Sequence, residues 1–184
     1  MQNGQSRFEM RLFAIRLHKR PALQDLYEGE FKMAEFIYNE VQTVQPGAAA
    51  LLETAIGCNR GYVLHRPGSG ILTLRGIVNN PCAKFARYRV AFDGNIAIPE
   101  GGTPGEIQLA LAIGGEVVQT SIATATPTVA DAYWNVNGFA IMDVPTGCCY
   151  TVSVENASVS TDPATTPAPA LNLRNLNVEV TRIA

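Results

Sequence analysis

"FARYRVAFDGNIAIP", Phe85 to Pro99, is the stretch whose reading decides the fold. Tyr88, Val90 and Phe92 alternate with Arg87 and Arg89, so one face is apolar and the other charged. Side chains repeat with period two only on extended backbone, which makes this a half-buried strand. Asp93-Gly94 predicts a bend or bulge where the run turns polar.

The same design recurs on both sides. After the loop "EGGTPGE", the run "IQLALAIGGEVVQTSIATA" places Ile107, Leu109, Leu111 and Ile113 on one face, and Gly114-Gly115 predicts a two-residue hairpin. "DAYWNVNGFAIMDVP" repeats it, with Asn137-Gly138 as the expected turn. In "CCYTVSVEN", Tyr150, Val152 and Val154 share one face, while Thr151, Ser153 and Glu155 share the other. "ASVSTDPATTPAPA" is a Thr/Pro-rich loop. In the closing run "LNLRNLNVEVTRIA" the apolar phase shifts near Asn175, from Leu171 and Leu173 to Leu176, Val178 and Val180, which predicts a bulge.

Upstream, "AEFIYNEVQTV" alternates, with Phe36, Tyr38 and Val41 available for packing. "AAALLETAIG" has helix propensity, but Pro46-Gly47 and Gly57 leave a helix little room. "GYVLHRPGSGILTLRGIV" is two short runs around the turn cluster Pro67–Gly70. About eight to ten short strands with Gly/Pro-rich turns and no intervening helices argue for an all-β sandwich or barrel. The length and the lack of an internal period favour one jelly roll over repeated blades.

Composition bounds the rest. The chain has 184 residues, enough for one good-sized domain, and 47% of them are apolar against 16% charged, so disorder is not expected. A net charge of -2 gives no footprint for nucleic acid, and no apolar run approaches the roughly 18 residues of a membrane span.

The first 32 residues differ. "QSRFEMRLFAIRLHKRPALQD" carries Arg7, Arg11, Arg16, Lys19 and Arg20, with Phe8, Leu12 and Ile15 at helical spacing. Residues 1–32 are expected to be either a short basic amphipathic helix outside the domain or the product of a start assigned upstream of a natural Met33. The domain is then 33–184.

Candidate chemistry is sparse. Cys148 and Cys149 are adjacent, so on a strand their thiols diverge, whereas zinc takes about four ligands in spaced pairs. Cys58 and Cys82 are isolated, with only His18 and His65 besides. A disulfide from Cys82 to one of the pair stays open, because spacing does not fix connectivity. The expectation is a strand start with one thiol inward.

"PGSGIL" and "GGTPGE" lack the residues of dinucleotide and phosphate loops, and Ser69 near His65 has no helix to make a nucleophile elbow. His65 is expected at a strand end, bonded to backbone. The acids Asp93, Glu106, Glu116, Asp131 and Asp143 are scattered singly, as on solvated strand faces and turns. Tyr133-Trp134 reads as core or subunit interface before sugar platform. No enzyme, cofactor or metal is expected.

"ARYRVAFDGNIAIP", "IQLALAIGGEVV", "VPTGCCYTVSVEN" and the terminal "LNVEVTRIA" resemble the trimeric jelly roll of the complement-globular-head and tumour-necrosis-factor class. Similarity extends to the C-terminal domain of spore exosporium collagen-like glycoproteins and to small phage and prophage proteins of Firmicutes. The resemblance implies a sandwich of about ten strands, with three copies around a threefold axis and the C-terminal strand in the inner sheet.

The 184 residues contain no Gly-X-Y repeat, unlike the exosporium proteins. The resemblance therefore points to a virion component assembled in the bacterial cytoplasm, a capsid decoration protein or head fibre. Its partners would be the major capsid protein or another virion protein, with no nucleic acid and no membrane. The alternative is a receptor- or glycan-binding module at a fibre tip or at a bacterial or spore surface, contacting through Gly101–Gly105 and Thr161–Pro169. Core or oligomer-interface candidates are Tyr88, Val90, Phe92, Trp134, Tyr150, Val178 and Val180.

Overall fold

The computed structural model describes residues 33–57, 61–77, 83–160 and 167–183. Residues 1–32, Cys58, Cys82 and most of the Thr161–Pro169 loop lie outside them. The strands run in chain order as β1 (Met33–Tyr38), β2 (Gln42–Val44), β3 (Glu53–Ile56), β4 (Val63–His65), β5 (Leu72–Arg75) and β6 (Phe85–Ala97). They continue as β7 (Ile107–Ile113), β8 (Glu116–Val117), β9 (Ala123–Ala125), β10 (Trp134–Pro145), β11 (Cys149–Asn156) and β12 (Leu171–Arg182). The only helical element among the described residues is a 3-10 turn, Gln119–Ser121.

Two antiparallel sheets form the expected jelly-roll sandwich. The first has the order β10-β6-β12-β1-β3, with β2 added beside β12. The second has the order β4-β5-β11-β7-β8, with β9 beside β7. The C-terminal strand β12 sits at the centre of the first sheet, paired to β6 on one side and β1 on the other.

Alternation built this core. Tyr88, Val90 and Phe92 on β6 and Leu176, Val178 and Val180 on β12 face Leu109, Leu111, Val152 and Val154 of the other sheet, all of them buried. The Tyr88 hydroxyl reaches the end of β5 and donates to Arg75 O at 2.6 Å, so its polar end is satisfied inside the core. Gly114 and Gly115 make the expected β7–β8 hairpin at φ 61° and 85°, values open to glycine but costly for most side chains.

Several expectations change. Asn137-Gly138 is no turn: both residues lie inside β10, opposite Asp93 and Phe92 of β6. A Cβ at Gly138 would stand 2.5 Å from Ser121 O and 2.7 Å from the Phe92 ring, so the glycine makes room for a crossing chain.

Asp93-Gly94 does not bend β6 either. The irregularity is in β12, where Arg174 to Asn177 spans the β6 step from Asn95 to Asp93. The extra residue lies near Asn175, at φ 51°, a left-handed conformation that asparagine tolerates, so the bulge read near Asn175 stands. "AAALLETAIG" contributes β3 and no helix. Val41 is exposed at 55%, outside the core. Ser153 and Glu155, placed on a polar face, are buried, and Ser153 Oγ donates to Glu155.

Candidate interaction surfaces

The outer face of the first sheet is set by the odd-numbered residues of β6 and β10. On β10 these are Asn135, Asn137, Phe139, Ile141 and Asp143, opposite Asn95, Asp93, Ala91, Arg89 and Arg87 of β6. Phe139 is 54% exposed and Ile141 57%, two residues apart on a strand at the sheet edge. Arg89 lies over the Phe139 ring at 5.3 Å, and Arg87 over the exposed Phe85 ring at 5.0 Å. This part of the face is thus an apolar strip with guanidinium planes over two of its rings.

The other part is polar. Asn135 donates to Asp93 Oδ1 at 3.2 Å, and Asn177 donates to Glu35 Oε1 at 2.6 Å. Glu35 and Glu179 stand directly opposite on β1 and β12. Like charges in register repel, and here Asn177, Thr181 and Arg89 offset the repulsion by turning toward one carboxylate or the other. At the strip's border Arg87 forks onto Asp143 at 2.7 and 2.8 Å. That bidentate pair raises Arg87 and lowers Asp143 from their ordinary pKa values, the hydrogen bond being the main cause in each case.

The remaining candidates divide clearly. Tyr88, Val90, Phe92, Val178 and Val180 are buried in the single copy, and Tyr150 packs half-buried on the core. Trp134, the first residue of β10, is 50% exposed. Neighbouring Tyr133 stacks under Arg174 at 3.7 Å.

His65 ends β4 with Nε2 2.8 Å from Ser69 O and Nδ1 2.9 Å from Thr54 Oγ1, the backbone-bonded strand end expected of it. It borders an open cleft of about 640 Å³ over Leu64, Ile71 and Thr73. Cys148 and Cys149 are both free and exposed, which corrects the inward thiol. Cys148 closes a tight turn by donating its N–H to Pro145 O, and Cys149 opens β11 with its side chain exposed.

A second cleft, of about 530 Å³, lies where β6, β11 and β12 meet their loops. The two loops named as contacts come together here, through Gly101–Gly105 on one wall and residues 167–169 on the other. Buried Asn156 fixes the junction, its Nδ2 donating to Val44 O and Pro169 O and its Oδ1 accepting from Ser158 N. No sequence motif announced this asparagine.

Among the described residues no group of three His, Cys, Asp or Glu could hold a metal, and no helix is long and apolar enough to cross a membrane.

No family model matches the chain and no curated protein sequence does. Solved structures do. The globular domain of zebrafish complement 1qA protein superposes with a TM-score of 0.50 at 13% identity, over 83% of this chain and 96% of that one. The Eiger TNF of S. frugiperda gives 0.54 at 11% identity, over 83% and 92%. Murine APRIL at pH 5.0 gives 0.49 at 10% identity, over 81% and 97%. The first two superpositions show the fold to be the jelly roll shared by complement 1q heads and tumour necrosis factors.

Proposed function

We propose that the chain is a non-catalytic structural protein that assembles as a homotrimer, and that it serves in a bacteriophage virion as a capsid decoration protein or head fibre. One observation carries the assembly: the exposed Phe139–Ile141 strip on edge strand β10, beside a core already complete without it. Burying an apolar side chain of that size stabilises by about 1.5–3 kcal/mol, and an open edge invites pairing that a closed ring removes. Among the described residues no group of three His, Cys, Asp or Glu could hold a metal ion, and His65, whose Nδ1 meets the Thr54 hydroxyl, is held at a strand end with Nε2 bonded to Ser69 O. The virion role is supported by the sequence resemblance to small phage proteins.

Multi-angle light scattering on the purified chain is expected to give three chains per particle. A stable monomer at micromolar concentration would overturn the assembly. For the virion role, mass spectrometry of purified phage particles is expected to find the chain in fixed stoichiometry with the major capsid protein. Its absence from particles would remove that role.

A further inference from the structure

The cleft between the β6–β7 and β11–β12 loops has walls of unusual uniformity. Ile98, Pro99, Val159 and Pro169 supply apolar surface, and the charged residues among its described lining, Glu100 and Glu106, are both exposed acids. None of the seven described cations (Arg66, Arg75, Lys84, Arg87, Arg89, Arg174 and Arg182) lines it. Glu106 accepts only from the neutral amide of Gln108, at 2.6 Å.

The walls are also held in place. Gly102 N donates to Pro99 O, Asp131 N donates to Ile98 O, Gln108 N donates to Ser158 Oγ, and Asn156 ties Pro169 to β2. A preformed hollow with greasy walls and uncompensated carboxylates suits a long cationic side chain, whose methylenes lie on the walls while its head reaches the acids.

We propose that this cleft docks a loop of a protein partner that inserts an arginine or lysine flanked by apolar residues. The inference rests on the reading of the chain as a protein-binding structural component, and it names that partner's chemistry. A glycan is the poorer fit. Sugar rings are gripped by stacking on aromatics, and neither residues 98–106 nor residues 157–170 contain Phe, Tyr or Trp.

The test uses the full ¹⁵N-labelled chain titrated with the peptide Ac-Leu-Arg-Leu-NH2, with Ac-Leu-Gln-Leu-NH2 and CaCl2 as separate controls. Saturable shifts confined to the amides of Gly101, Gly102, Gly105 and Val159 are expected with the arginine peptide. They should be weaker by about tenfold with the glutamine peptide, or in the Glu100→Gln/Glu106→Gln variant, as befits a lost charge-assisted contact. Equal response to both peptides, survival in the variant, the same shifts from CaCl2 alone, or no saturable shift would each overturn the proposal. Light scattering reads the trimer independently: a monomer that binds the arginine peptide sinks the assembly and keeps the cleft.

Discussion

At Gly138 the absence of one carbon decides where β10 can run. A methyl there would overlap Ser121 O and the Phe92 ring, and neither a backbone carbonyl nor a core aromatic moves cheaply. Gly138→Ala is expected to destabilise by about 1–3 kcal/mol in urea unfolding, while Asn137→Ala, on the exposed face, stays within about 0.5 kcal/mol. Equal losses would refute the crowding. The Arg87–Asp143 pair makes a different residue-scale prediction. Asp143 titrates below its ordinary value when folded, so its contribution is present above the unfolded carboxylate pKa and lost as pH falls through the folded one. The stability gap between wild type and Asp143→Asn should therefore narrow on acidification below the usual carboxylate range. It should also shrink in 1 M salt, because both side chains are partly exposed, at 44% and 38%. A gap that ignores pH would deny the pair any role.

Elements are joined here by buried side chains as much as by turns. Asn156, at the end of β11, satisfies backbone groups of β2, of the approach to β12 and of the chain leaving β11 itself. Asn156→Ala leaves the carbonyls of Val44 and Pro169 and the Ser158 N–H without that partner, a loss of about 1–3 kcal/mol. Hydrogen exchange is expected to quicken first at residues 157–160 and 98–106, with the sheet centres still protected. Uniform quickening would mean that the asparagine supports the whole sandwich rather than one junction.

For the whole molecule, what separates interior from interface is the second layer. Val90 and Phe139 both belong to strands of the first sheet, yet Val90 is buried in the core while Phe139 is more than half exposed beneath Arg89. The assembly argued above has its sharpest form in Phe139→Ser with Ile141→Ser. Each residue is more than half exposed in the single copy, so the double variant should remain folded and scatter as a monomer. A folded trimer from that variant would move the contact to another face.

Period-two alternation settled the all-β class, the core faces of β6, β7, β11 and β12, the Gly-Gly hairpin and the bulge near Asn175, because these depend on neighbours along the chain. Gly138 misled for the opposite reason. Asn-Gly has the local chemistry of a turn, and only the approach of Ser121, seventeen positions away, turned it into a crossing point. The exposed thiols, the buried Ser153–Glu155 pair, the Asn156 clamp and the acidic cleft were likewise decided in three dimensions. Which way a strand residue points is written in its own sequence; what it meets there is supplied by segments tens of residues distant.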